Sequence, residues 1–314
     1  MSALTLSAED RSALDGLARE LADGGDVDGA WVERVREAWE RAPLALRQGI
    51  RRYRRHSGPQ GSLLVRNLPV REAEIPDTPS VAGSVQRTTT VPAALLVLVA
   101  CGLGDPIAYA AEKSGALVQD VVPVPGHEHV QGNTGSAMLS FHSENAFHQH
   151  RPDHLMLLCL RADHDRVAGL STASVRETLP LLDEDTTKIL SSPEFLTAPP
   201  PSFGGGDGSE PHAVLHGSPE DPDLRVDLAA TTALTEQAEA ALARLREAFA
   251  TTTRSARLVP GDLAVVDNRV TVHGRSLFRP RYDGRDRWLQ RTFVAADLRR
   301  SRDHRPGDSH VLTR

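Results

Sequence analysis

Lysine is nearly absent from this chain of 314 residues: only Lys113 and Lys188 occur, and arginine carries the rest of the positive charge. Covalent catalysis through a lysine amine is therefore an unpromising starting point. Cysteine is also scarce. Cys101 and Cys159 stand far apart, each inside an apolar run. They read as two buried thiols of a reducing compartment. No C-x-x-C occurs, which removes a structural zinc ribbon and the H-x-E plus P-C-x-x-C pattern of zinc deaminases. Long apolar runs are missing too. VPAALLVLVACGLG is too short to span a bilayer and reads as a buried helix over about 92–102. The start, MSALTLSAEDRSALDG, has no apolar signal core, so a cytoplasmic protein is expected. Net charge is −6, which gives no basic field for nucleic acid.

What is present is the composition of a globular protein, 39% hydrophobic and 25% charged. The first sixty residues predict a helical layer. Ser7 precedes a run of helix formers with acids in the first turn, and Trp31, Val35, Ala38 and Trp39 share one helical face. SLLVRNLPV then reads as a strand. From about residue 116, ALVQDVVPV, SAMLSFHSE and HLMLLCLRA are short strands between Gly, Pro and polar turns. ASVRETLPLLDEDTTKIL predicts a helix. Residues 197–223 are rich in Pro, Gly and acids and predict a long mobile lid loop. DLRVDLAA predicts a strand, and TEQAEAALARLREAFATT a helix with Ala238, Leu242, Leu245 and Phe249 on one side. RLVPGDLAVVDNRVTVHGR and DRWLQRTFVAADL predict strands, and RRSRDHRPGDSHVLTR a solvated tail. Together these predict one mainly β domain over 1–314, an antiparallel double sheet with added helices.

Residues 141–150, FHSENAFHQH, hold three histidines and a glutamate. In a strand, positions i and i+2 share a face. His142 and Glu144 can therefore converge on one ion, which His142 with His148 or His150 would not do in a regular strand. The best third ligand is His273, in VDNRVTVHGR. Two histidines and one carboxylate leave open positions on an octahedral ion, the facial triad of non-haem Fe(II) oxygenases. H-x-E alone is a weak signal, and a zinc hydrolase using His142 and His273 is the alternative, as is a binding module without activity. Arg287, downstream, can grip a dicarboxylate bidentately. Arg287 and Arg291 are four apart and face one side of a strand.

The spacing H-x-E, a long insertion, His273, Arg287 and Arg291 resembles the clavaminate synthase-like branch of the Fe(II)/2-oxoglutarate oxygenases. LVQDVVPVPG, FHSENAFHQHRPDHLMLLCLRAD, APPPSF, DPDLRVDLAAT and VDNRVTVHGRSLFRPRYDGRDRWLQRTFV carry the resemblance, which spans nearly the whole chain. It implies a distorted double-stranded β-helix (jelly roll) with N-terminal helices and a lid. It implies Fe(II), 2-oxoglutarate and O2, with His142, Glu144 and His273 on the iron. Because Glu144 fills a ligand position that a halide needs in related halogenases, hydroxylation is implied. Arg287 is implied at the distal carboxylate of 2-oxoglutarate. The usual threonine that assists it falls at Leu170, leaving Ser171 or Thr172 as substitutes, of which Thr172 is the expectation.

Members most like these segments hydroxylate the β-carbon of free L-asparagine for nonribosomal peptide assembly. The resemblance then implies Arg291 at the α-carboxylate, Glu112 at the α-ammonium, and Asn133, Asn145 and Asp227 at the side chain. Each has a plainer alternative: a helix-end acid for Glu112, turn shaping for Asn133 and Asn145, a surface strand acid for Asp227. His148, His150, His154 and His164 are expected outside the site. The partner expected is a small amino acid, with no nucleic acid, membrane or obligate protein partner. Arginine, lysine or aspartate are the alternative substrates, and Asp207, Glu210, Glu220, Asp221 and Asp223 could serve a cationic one.

Overall fold

The structure is a computed structural model that describes residues 1–200, 203 and 209–313. The helical layer is α1 (Ala8–Leu21), α2 (Gly29–Trp39) and α3 (Leu44–Arg55). Ser7 caps α1: its hydroxyl accepts from the Asp10 N–H at 3.0 Å, and the Asp10 carboxylate returns to the Ser7 N–H, a capping box. The apolar run forms α4 (Val91–Leu103), capped by Thr90 and buried all round beneath α1–α3.

Nine described strands form the major sheet. In the order of hydrogen bonding these run β1 (Ser2–Thr5), β2 (Ser62–Arg66), β14 (Leu263–Asp267), β7 (His154–Arg161), β16 (Trp288–Ala295), β4 (Asp105–Tyr109) and β17 (Val311–Leu312). β5 (Val118–Val121) also pairs with β16, and β3 (Val85–Gln86) pairs with β5. The minor sheet runs β13 (Arg254–Arg257), β8 (Gly169–Ser174), β15 (Thr271–Arg275), β6 (Leu139–His142). Two further pairs are β9 (Phe195–Thr197) with β12 (Thr231–Ala233), and β10 (Leu215–Ser218) with β11 (Asp221–Leu224). Three more helices follow β8 and β12: α5 (Val175–Thr178), α6 (Glu184–Leu190) and α7 (Glu236–Thr252).

Strand alternation sorts the core. On β7, Met156, Leu158 and Leu160 pack against α4, while Leu155, Leu157 and Cys159 face the other way. On β16, Trp288 and Val294 take the helical side, and Leu289 and Phe293 the inner side. Arg291 shares the inner face by the same period of two. Leu170 of the minor sheet closes that inner cluster, giving the double-stranded β-helix core. A third cluster packs Val272 and Phe195 against Leu242, Leu245 and Phe249 of α7.

Several expectations need correction. The helix expected from Ala173 begins only after β8, and it breaks at Leu179–Pro180, because proline cannot donate to a continuing helix. The strand expected at DLRVDLAA ends at Leu224; residues 227–230 form a turn. The segment 197–223 is not one loop: 215–224 is a hairpin with Pro219 and Glu220 at its turn, and 201–202 and 204–208 lie outside the described residues. The tail is not solvated throughout. β17 pairs in parallel with β4, Leu312 is buried, and His310 Nδ1 lies 2.8 Å from the Pro106 carbonyl. No helix among the described residues is long and apolar enough to cross a membrane.

Candidate active site

β6 and β15 are antiparallel neighbours, with His142 and His273 directly opposite. Their rings lie 4.2 Å apart, centroid to centroid. The close approach needs Gly274: a Cβ there would sit 2.6 Å from the Leu139 carbonyl oxygen. β6 ends at His142, so Glu144 does not reach the site as the next inward residue of a strand. Asn268, in the turn before β15, holds it instead. Its Oδ1 accepts from the Glu144 N–H at 2.7 Å, and its Nδ2 donates to the carbonyls of Glu144 at 3.1 Å and Pro152 at 2.8 Å.

One ligand atom from each of His142, Glu144 and His273 lies within 4.8 Å of the others. His142 Nδ1 lies 2.9 Å from the Ser140 carbonyl, a proton acceptor only, so Nδ1 donates and the lone pair sits on Nε2. Burial and the nearby His142 push His273 down to about 4 against the pull of Glu144, which keeps it neutral near pH 7. Burial pushes Glu144 up, but Arg291 above all, with His273 and His142, brings it down to about 2. Two imidazoles and one carboxylate, converging and nearly buried, fit a divalent first-row ion that keeps open positions.

Beside the triad opens a pocket of about 470 Å³. Glu112, Asn133, Asn145, Asp227 and Arg291, expected around a substrate, all line it with His142 and Glu144. Arg291 is its centre. It pairs with Glu112 and with Glu144 Oε1 at 3.0 Å, and it donates to Asn133 Oδ1 at 3.2 Å and to Gln119 Oε1. Burial opposes its charge, but Glu112 and Glu144 outweigh that, so its pKa lies above the ordinary arginine value. The second oxygen of Glu112 is buried without a hydrogen-bond partner among the described residues. Asn145 takes φ 52°, a left-handed conformation that asparagine tolerates better than most residues. Asp227 Oδ1 caps a turn, accepting from the N–H groups of Ala229 at 2.8 Å and Ala230 at 3.2 Å. Phe203 closes one wall, with its ring 4.7 Å from that of Phe147 and 5.9 Å from that of Tyr109.

Arg287 lies elsewhere, just before β16, in an adjoining inner chamber with His273, Leu170, Leu289 and Arg275. Burial lowers its pKa. Thr172 stands opposite His273 in the ladder, but Leu170 rather than Thr172 lines the chamber around Arg287. His148, His150, His154 and His164 do not join the triad. His164 sits beside Asp283 and Asp286, whose carboxylates already accept from backbone N–H groups of Arg285, Arg281 and Tyr282. Sequence reasoning missed Asn268, Gln119, Phe203 and Arg275. Arg275 had a signal: it lies two residues past His273, hence on the same inward face.

A double-stranded β-helix whose two sheets bring a two-histidine, one-carboxylate set beside a buried arginine defines a non-haem iron oxygenase architecture. Residues 41–293 match the model of the taurine catabolism dioxygenase TauD, TfdA family, and the chain belongs to that family. It is 56% identical to L-asparagine oxygenase of Streptomyces coelicolor, over 98% of this chain and 94% of that protein. It is 34% identical to clavaminate synthase 2 of Streptomyces clavuligerus, over 91% of this chain and 90% of that one. Among solved structures, asparagine oxygenase in complex with Fe(II), (2S,3S)-3-hydroxyasparagine and succinate superposes with a TM-score of 0.98. That pair is 55% identical and covers all of both chains.

Proposed function

We propose that the protein hydroxylates the β-carbon of free L-asparagine with O2 and 2-oxoglutarate, giving 3-hydroxyasparagine, succinate and CO2. The single observation that supports this best is the charge arrangement around Arg291. A cation and an anion, Arg291 and Glu112, face each other in a pocket next to the triad. A zwitterionic amino acid satisfies both at once: its carboxylate goes to Arg291 and its ammonium to Glu112, whose second oxygen is already unpartnered. Asn133, Asn145 and Asp227 then supply the mixed donors and acceptors that a carboxamide needs.

His142, Glu144 and His273 would hold Fe(II), and Arg287 would anchor the distal carboxylate of 2-oxoglutarate. When bound, the iron supplies oxygen activation coupled to decarboxylation of the co-substrate. The chain's own work is orientation and exclusion of water. Phe203 and Phe147 wall the pocket with rings, and Tyr109 packs edge-on against Phe203. Supplying 3-hydroxyasparagine for nonribosomal peptide assembly, in the cytoplasm, completes the reading. Two of the acids that could serve a cationic substrate are engaged away from this pocket. Asp221 is ion-paired with Arg176, and Asp223 lines a separate cleft near His216; Asp207 lies outside the described residues.

The test is 2-oxoglutarate turnover across the proteinogenic amino acids, with protein purified anaerobically and loaded with Fe(II). Asparagine should give the most succinate, with product hydroxylated at the β-carbon. Stronger coupled turnover of arginine, lysine or aspartate would move the substrate assignment. No succinate with any amino acid would remove it.

A further inference from the structure

Two buried guanidinium groups line the inner chamber. Arg275 is 5% exposed and Arg287 is 6% exposed. Their Cζ atoms stand 5.5 Å and 5.6 Å from the centre of the same ring, Phe278. Arg287 makes no hydrogen bond or ion pair among the described residues. Arg275 has no ion pair there either; it donates from Nη1 to the Gly132 carbonyl at 3.2 Å and from Nη2 to the Ala137 carbonyl at 2.9 Å. Its Nε is buried without a partner. The chamber walls nearby are apolar: Val121, Leu155, Leu157, Leu170 and Leu289.

A buried cation without an ion-pair partner is costly, and a second like charge lining the same chamber adds to that cost. One carboxylate against one arginine would leave the second cation uncompensated. We propose that Arg275 is a second binding residue for the co-substrate, so that the distal carboxylate of 2-oxoglutarate is received by Arg287 and Arg275 together. This rests on the reading that 2-oxoglutarate is the co-substrate. It also places co-substrate binding in touch with the substrate pocket. Gly132 and Ala137, held by Arg275, flank the segment that carries Asn133, and Asn133 contacts Arg291.

The experiment compares two ligands and three forms of the full chain. The ligands are 2-oxoglutarate and 2-oxopentanoate, which has the same chain length with a methyl in place of the distal carboxylate. Affinities are measured anaerobically on the Fe(II)-loaded wild type, Arg275→Met and Arg275→Lys. Arg275→Met should weaken 2-oxoglutarate by about tenfold or more and leave 2-oxopentanoate nearly unchanged, as expected for a lost charge-assisted contact. Arg275→Lys keeps a cation but loses the planar fork. It should retain part of the preference for 2-oxoglutarate while raising the KM for asparagine. If Arg275→Met does not fold, the lysine variant decides alone. Equal loss of both ligands, in whichever variant folds, overturns the proposal and leaves Arg275 a structural tether. No effect on either ligand overturns it as well. A wild type that does not prefer 2-oxoglutarate over 2-oxopentanoate overturns the co-substrate reading itself, and this inference with it.

Discussion

Asn268 brackets the backbone of Glu144, accepting from its N–H at 2.7 Å and donating to its carbonyl at 3.1 Å. The contact imitates one more step of a β-ladder at the point where β6 has ended. The same side chain lies in the turn that leads into β15 and His273. It therefore ties both ligand-bearing segments together, 124 residues apart. Asn268→Ala leaves one buried N–H and two carbonyls, those of Glu144 and Pro152, without this partner, at a cost of about 1–3 kcal/mol each. It should also weaken Fe(II) binding by about tenfold or more, as loss of a supporting contact does. Anaerobic metal titration checks this. Unchanged iron affinity in a folded variant would show that Glu144 finds its place without Asn268.

The ligand assignment separates neighbouring histidines. His142→Ala, Glu144→Ala or His273→Ala should lower Fe(II) affinity by about two orders of magnitude, since one of three protein donors is gone. His148→Ala and His150→Ala should change it little, because neither ring lies in the cluster. Iron content after anaerobic loading is the measurement. Comparable damage from His148→Ala and His142→Ala would contradict the assignment.

Phe203 offers a separate test of closure. Its ring contacts Phe147, Tyr109 and His148. Aromatic pairs are worth about 0.5–1.5 kcal/mol each, so Phe203→Ala should raise the KM for asparagine by about tenfold. Water should also enter more freely. The succinate formed per hydroxyasparagine should rise above the wild-type ratio. A raised KM with unchanged coupling would assign Phe203 to substrate contact alone.

Acid stability follows from His154, which is wholly buried and has neither ring nitrogen hydrogen-bonded among the described residues. Burial lowers its pKa below 6.5, with Arg269 acting in the same direction and Asp267 against it. His212 is likewise brought down to about 4, first by burial. A histidine whose folded pKa is lowered is neutral in the fold and takes up a proton on unfolding. Its contribution is fully present above the unfolded value and is lost as pH falls from about 6.5 toward the folded pKa. Denaturant midpoints should therefore drop between pH 7.5 and 5.5, and His154→Leu should flatten that slope. A slope identical to wild type would place the acid sensitivity elsewhere.

Local pattern carried much of this architecture, and distance hid the rest. Ser7, the amphipathic face of α2 and the apolar run of α4 are all signals within one helix, and each element formed where its pattern lies. His142 and His273 were legible because their strands alternate cleanly. The position of Glu144 was not, since it depends on a side chain 124 residues away. The tail was misread for the same reason: β17 gains its order from β4, some two hundred residues upstream, as the His310–Pro106 contact shows. The hairpin within 197–223 was masked by its own composition. Pro219 suits the turn it occupies, and a lone two-stranded pair leaves Pro222 on an edge, where a missing N–H costs little. Arg275 shows a different failure. Its inward position was readable, but only the absence of a counter-charge makes it noteworthy, and that is a three-dimensional fact.

Substrate choice turns on Asp227. Asparagine and aspartate are nearly isosteric, so pocket shape cannot separate them; hydrogen-bond polarity must. Asp227 lines the pocket while one carboxylate oxygen is committed to the N–H groups of Ala229 and Ala230. The other oxygen is left to accept from a substrate NH2. A substrate carboxylate in that place would face a second anion, and two carboxylates in contact cannot both stay charged cheaply. Discrimination by unpaired buried polar groups amounts to several kcal/mol in favourable cases. Asp227→Asn keeps the shape. Its Oδ1 can still cap the turn, and its Nδ2 presents a donor where the wild type presents an acceptor. The variant should lose its preference for asparagine and gain turnover of aspartate, with the ratio of kcat/KM values shifting by about a hundredfold. Both substrates are measured on wild type and variant at one pH above the carboxylate range. A ratio that does not move would confine Asp227 to the turn it caps and leave Asn133 and Asn145 to read the carboxamide.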